Sequence, residues 1–391
     1  MSLGLVIDIV VVLVILSTVV SGFARGLLRA LGAVAGLVAG GAAALVVMPI
    51  VSARVPALGW NVAAALAAGL ALIVIGIAIG EAIARAVRRP VHRVGLGVVD
   101  RLLGGAAGLV TSVAVLLILP MSVGSSGVPG ATQAVSSSTV LRFLEDVVPA
   151  PVESALARIR SIAIEDGIPT VLDAAGVVDA EVPDADADTE ALRIASASVL
   201  RITTSAPNCS ASSSGSGFVI GEGLVMTNAH VVAGSSEVVV EARSELPRSA
   251  RVVYFDPGAD IAVLAAPGLR ASALPFSATP EPGETVFFQG HPYGGPFVSR
   301  SAAVLSAGPV SAVDIYGSAA VSRSTVRIAG TVEPGNSGGP LLTADGALAG
   351  MIFARSDATP NVGFALSMEE LAPVLAIAPE LNAPVSAGSC V

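Results

Sequence analysis

The feature that most constrains this chain is where its apolar residues lie. Four apolar stretches, roughly 3–21, 27–48, 61–80 and 102–122, fall in its first third. Each approaches the ~20 residues that a helix needs to cross the hydrocarbon core of a bilayer. In lipid every backbone N–H and C=O must be satisfied within the segment, so the expected form is an all-α membrane domain of four transmembrane helices over residues 1–122. A removed leader peptide is a poor reading of the first stretch. No basic residue precedes its apolar run, and three further stretches follow.

Charge divides the chain at the same place. The 21 basic residues are all Arg. Eight of them stand in residues 1–122 against Asp8, Glu81 and Asp100, a net +5, while residues 123–391 carry a net −14. Arg25 and Arg29 flank the first turn, Arg85, Arg88, Arg89, Arg93 and Arg101 crowd the third, and Arg54 alone marks the second. Arg-rich turns stay cytoplasmic, which puts both termini and the C-terminal half on the extracytoplasmic side. A half with that acidic excess does not bind nucleic acid, because phosphate contacts need a basic face. Gly32, Gly36 and Gly40, and then Gly104, Gly105 and Gly108, sit at spacings that let helix backbones approach closely. Asp8 and Glu81 lie near span ends, where headgroup solvation is the simpler reading than a transport path. The segment VVDRLLGGAAGLV, residues 98–110, resembles the colicin V production family of membrane proteins.

Residues 123–190 read as a partly helical extracytoplasmic linker. SVGSSGVPGATQAVSSS breaks the last span, and helical periodicity returns over 138–162, interrupted by Pro149 and Pro151. The acidic run DAEVPDADADTEALR has little to bury. Cleavage in this linker, self-cleavage included, is compatible with its composition.

From residue 191 to 391 the pattern changes to short β runs separated by Gly, Pro and Ser, which predicts barrels or a sandwich. Three motifs stand in it. GSGFVIGEGLVMTNAHVV carries His230, DPGADIAVL carries Asp260, and TVEPGNSGGPLL carries Ser337. A serine hydroxyl is a weak nucleophile that needs a base. Imidazole, with a pKa of about 6.5, serves as base and acid in one cycle. A carboxylate on its far nitrogen holds the working tautomer. Glycines around the serine allow a sharp turn, so that the N–H groups of Gly335 and Ser337 can converge on an oxyanion. Of the other candidates, His291 in QGHPYGG reads as structural, His92 belongs to a basic turn, and Asp256 precedes a Pro-Gly turn where Asp is a common turn former. Asp314 is a further competing acid.

The order His, Asp, Ser, and the wording TNAHVV, DIAVL and GNSGGPL, resemble the chymotrypsin-like serine proteases, most closely their bacterial high-temperature-requirement branch. The resemblance implies a C-terminal all-β double barrel, serine endopeptidase chemistry with no cofactor or metal, and protein or peptide substrates in the cell envelope. It also implies that Thr331, six residues before Ser337, lies at the base of the primary specificity pocket, where an uncharged side chain disfavours strict selection of Arg or Lys. Asn336 stands where the digestive relatives carry the Asp that pairs with a freed N-terminus, so activation by N-terminal insertion is not expected. With 54 residues after Ser337, no peptide-binding PDZ module is expected. The layout as a whole resembles actinobacterial membrane proteases of acid and oxidative stress. The rival reading is a membrane sensor or transporter-like protein with an inactive protease-like domain. Oligomeric state cannot be read.

Cys209 and Cys390 both fall on the oxidising side of this topology, where a disulfide persists. A bridge closing about 180 residues stabilises by roughly 4–5 kcal/mol on the chain-entropy view. Two free thiols, or a redox-sensitive bond that governs activity, are the alternatives.

Overall fold

The computed structural model describes residues 3–54, 60–91, 97–118, 131–149, 151–152, 154–155, 157, 168–171, 181–206, 209, 211–243, 245–359 and 361–391. His92 and Arg93 lie outside them. The chain divides into two compact units, 1–117 and 118–391.

Among its described residues the first unit has four helices: α1 (Leu3–Arg25), α2 (Leu27–Arg54), α3 (Trp60–Val91) and α4 (Gly97–Ile118). Two segments of the described residues, Gly4–Arg25 and Val98–Leu117, are long and apolar enough to cross a membrane, and Arg29–Ala44 is a shorter apolar helix. The Arg residues expected in turns are mostly helical. Arg85, Arg88 and Arg89 ride on the last turns of α3, and Arg101 on the first turn of α4. Long Arg stems are good helix formers, so the helices run past their apolar stretches. Glu81 is paired rather than merely solvated, its Oε1 lying 2.7 Å from Arg25 Nη1.

Helix contacts in this unit run through glycine. A Cβ added at Gly36 would stand 2.1 Å from the Gly76 carbonyl oxygen, and one at Gly80 would stand 1.9 Å from that of Gly32. α2 and α3 therefore pack antiparallel and backbone to backbone at these glycines. Gly22 and Gly104 join α1 to α4 in the same way. This is the packing that small residues at four-residue spacing permit.

The second unit opens with α5 (Ala131–Ser136) and α6 (Thr139–Val147), the latter capped by Ser138, whose hydroxyl accepts from Leu141 N–H at 3.2 Å. A short strand β1 (Thr170–Val171) and α7 (Glu190–Ser196) follow. Next, β2 (Val199–Ala206), β3 (Ala211–Gly221), β4 (Leu224–Thr227), β5 (Glu237–Ala242), β6 (Arg248–Asp256) and β7 (Ile261–Ala265) close a barrel in the order β2-β3-β4-β7-β6-β5. The helical turn α8 (Ala229–Val232) sits between β4 and β5. β8 (Thr285–Gly290), β9 (Val298–Val313), β10 (Ala320–Ala329), β11 (Pro340–Leu342), β12 (Leu348–Ser356) and β13 (Val362–Ser367) form the second sheet, which a β12–β13 pairing closes on itself. α9 (Met368–Ile377) ends the regular structure.

Alternation dictates the cores. Leu200, Ile202, Val219, Val225, Val240 and Leu264 fill the first barrel, and Val286, Phe288, Val326, Ile328, Leu341 and Ile352 fill the second. A third cluster, with Phe218, Met226 and Ile261 from one barrel and Phe287, Met351, Phe353 and Phe364 from the other, seals the two together. Each such side chain fully buried contributes roughly 1.5–3 kcal/mol. β1 adds to the open edge of β12 in parallel, Thr170 opposite Arg355, and Ile168 just before it is buried in the second core. The linker is thus folded onto the barrels at both ends of its described part. Cys209 and Cys390 are bonded, with Cα atoms 5.7 Å apart. Gly234 N–H donates to Ala387 O at 3.0 Å, which lays the C-terminal tail against the turn that follows α8.

Candidate active site

β4 delivers Asn228 in an extended conformation, and the chain then turns into α8 with His230 in its first turn. Asp260 precedes β7 with a φ of 59°, a left-handed conformation that Asp tolerates better than most residues. It is buried, and two bonds fix it. Asn228 Nδ2 donates to the Asp260 carbonyl at 2.9 Å, and the His230 backbone N–H donates to Asp260 Oδ1 at 3.0 Å. The imidazole Nδ1 then lies 2.8 Å from Asp260 Oδ2 and 3.0 Å from Oδ1. A carboxylate there holds the proton on Nδ1 and leaves Nε2 as the acceptor.

Ser337 reaches the same place from the second barrel, in the loop between β10 and β11. The Ser216 N–H of β3 donates to Ser337 O at 2.8 Å. A Cβ at Gly338 would meet Thr227 Oγ1 at 2.3 Å and Asn228 N at 3.2 Å, so the residue after Ser337 abuts the residues just before His230. Ser337 Oγ is buried and, among the described residues, without a hydrogen bond. In the absence of substrate such nucleophile contacts are often long and tighten only in the complex.

Two peptide planes near Ser337 are oriented through their carbonyls. Tyr293 N–H donates to Pro334 O at 2.6 Å, and Gly339 N–H donates to Asn336 O at 2.9 Å. In a trans peptide the N–H points opposite to the C=O. Gly335 N–H and Ser337 N–H are therefore both turned away from these anchors, and among the described residues neither has an acceptor. Gly335 is needed in this loop: its φ is 89°, and a Cβ would lie 2.5 Å from both His291 O and Tyr293 N. Ser216 holds the loop a second time, donating from Oγ to Gly335 O at 2.7 Å while accepting from His291 N–H at 2.9 Å.

The other candidates have different places. Asp256 Oδ1 accepts the N–H groups of Gly258 and Ala259, which uses it in its turn. Asp314 is half-buried, and the Ser318 hydroxyl holds its carboxyl below the usual range. His291 is buried, its Nδ1 donating to Gly295 O at 3.0 Å, and burial, reinforced by the Arg201 and Arg243 charges, pushes it down to about 3. Asn336 is buried, its Oδ1 accepting from Glu333 N–H at 3.2 Å. Thr331 is exposed and donates to Asn361 Oδ1 at 2.8 Å. Sequence reasoning assigned no role to Ser216, Tyr293 or Asn228. The signals were faint: a Ser between two glycines in mid-strand, and an aromatic residue wedged in a Pro-Gly turn.

A family described as trypsin-like peptidase domain matches residues 215–351, and one described as colicin V production protein matches residues 7–149. Serine protease Rv3671c of Mycobacterium tuberculosis is 35% identical over 304 residues, which cover 75% of each chain. A probable periplasmic serine endoprotease, DegP-like, from Ectopseudomonas mendocina is 35% identical over 165 residues, 41% of this chain and 34% of that one. The crystal structure of the Rv3671c protease in its active form aligns with a TM-score of 0.52 at 37% identity, covering 57% of this chain and 95% of that one. The N-terminal match and the apolar helices together point to membrane association.

Proposed function

This chain belongs to the trypsin-like serine protease family of Rv3671c, and we propose that it is a multi-pass membrane-anchored endopeptidase that cuts envelope proteins on the extracytoplasmic side. It is a serine endopeptidase acting on protein substrates. The finer reading assigns Ser337 Oγ as the nucleophile, His230 Nε2 as the base that takes its proton and returns it to the leaving amine, and Asp260 as the carboxylate that orients the ring. The N–H groups of Gly335 and Ser337 receive the developing oxyanion. Uncharged Thr331 at the base of the specificity pocket disfavours strict selection of Arg or Lys. Residues 1–122 serve as the four-helix anchor and 123–190 as the linker to a protease domain over 191–391. A role in acid and oxidative stress of the envelope rests on the resemblance of the layout alone.

One observation carries the chemical part: His230 Nδ1 lies 2.8 Å from a buried Asp260 carboxylate at the site where Ser337 is docked on β3. A membrane-impermeant fluorophosphonate applied to intact spheroplasts tests chemistry and orientation together. Labelling that Ser337→Ala abolishes is the expected result. Labelling only after permeabilisation overturns the orientation, and none after permeabilisation overturns the assignment of Ser337.

A further inference from the structure

The oxyanion loop is anchored to the turn Pro292–Gly294, and that turn is itself strained. Tyr293 has φ 57° and ψ 22°, and Gly294 has φ 65°, so two successive residues are left-handed. For a tyrosine this conformation costs about 1–3 kcal/mol and persists only where surroundings over-determine it. Internal bonds account for part of that: Gly294 N–H donates to His291 O, Gly295 N–H to Pro292 O, and His291 Nδ1 to Gly295 O. A further bond comes from Arg201 of β2, whose Nη1 donates to the Gly294 carbonyl at 3.2 Å.

Arg201 is held in turn by two carboxylates. Its Nη2 lies 2.7 Å from Glu241 Oε2, on the paired position of β5, and 3.1 Å from Glu145 Oε2 on α6 of the linker. Its side chain is 18% exposed, so these charges interact in a medium well below bulk water in dielectric. Glu145 has the largest influence raising Arg201. An arginine with five donors in one plane can satisfy both acids and the carbonyl at once, which a lysine cannot.

We propose that Glu145 is a positioning residue for catalysis: through Arg201 it fixes Gly294, hence Tyr293 N–H, hence the Pro334–Gly335 peptide that aims an oxyanion donor. The linker helix is then part of the active-site scaffold as well as a spacer. This rests on the oxyanion-hole reading above. It gives the full chain an activity that the barrels without α6 do not reach.

The test uses the full chain in detergent micelles, with Glu145→Gln and Glu145→Ala, and measures kcat and KM on a peptide amide together with affinity for a peptidyl boronate. The boronate becomes tetrahedral on Ser337 Oγ and occupies the oxyanion position. Complete loss of one oxyanion donor lowers kcat by 10²–10³, so a donor left in place but loosened should lower it by about 5- to 30-fold. The expected result is that loss in kcat, an equal loss in boronate affinity, KM within about twofold by the logic of interactions made only in the transition state, and an unchanged thermal midpoint. If the wild type forms no boronate adduct, the oxyanion reading itself fails. If it does, and both variants match it within about twofold in kcat and boronate affinity, the inference about Glu145 is overturned. Losses that only track a fall in thermal midpoint overturn it as well.

Discussion

Acidification from pH 7 to pH 4.5 should weaken the second unit through one imidazole, that of His291. Its Nδ1 proton goes to Gly295 O, while Nε2 is buried with no partner among the described residues. Burial opposes a second proton there, and the nearby Arg201 and Arg243 charges oppose it further, which is why the folded state holds the group down to about 3. The unfolded chain protonates the same ring near pH 6.5. Above 6.5 both states are neutral and the contribution to stability is complete. Below 6.5 the unfolded state takes up a proton that the folded state refuses, and stability falls until pH approaches 3. The slope is about 1.4 kcal/mol per pH unit, so the two units between 6.5 and 4.5 amount to about 2–3 kcal/mol. His291→Gln keeps an amide donor for Gly295 O and removes the titration. Urea unfolding of both proteins, read by pulse proteolysis of the C-terminal unit at the two pH values, isolates the effect. The wild type should lose about 2–3 kcal/mol more than the variant on acidification. A double difference under about 0.5 kcal/mol would mean that His291 protonates in place, and would refute the reasoning.

Gly335→Ala should lower kcat by about 10²–10³, since its methyl group meets backbone atoms that cannot step aside, and steady-state kinetics beside a thermal melt will separate lost catalysis from lost folding. Replacing Cys209 and Cys390 together by serine should lower urea stability by up to about 4–5 kcal/mol on the chain-entropy model. An unchanged urea midpoint would mean that the tail holds through its hydrogen bonds with Val252, Gly234 and Tyr316 and the burial of Ala387.

The two halves were legible in the sequence because each rule involved is local. Apolar length predicts helices, and α1 to α4 begin within a few residues of the expected stretches, although α3 runs on through Arg85, Arg88 and Arg89. The site was legible because its chemistry demands particular residue types in short contexts: Gly335 at positive φ, Asp260 two bonds from His230, and Asp256 consumed by its own turn. What escaped was pairing at a distance. Glu145 on the amphipathic helix α6 carries no mark that it will meet Arg201 on a strand 56 positions later. Nothing in Ile168 or Thr170 announces a parallel pairing with Arg355. These contacts depend on tertiary placement of the linker, which composition described only as polar and interrupted by proline.

The Cys209–Cys390 bond joins residues 181 positions apart into one covalent ring, and His230, Asp260 and Ser337 all lie within it. A single peptide bond cut anywhere inside that ring turns a cycle into a line and releases nothing; two cuts are needed before a piece can leave. Residues 123–190 lie outside the ring, so one cut there frees the entire ring from the N-terminal helices. Under equal exposure to proteolysis, the first event that changes what the enzyme is attached to leaves His230, Asp260 and Ser337 together.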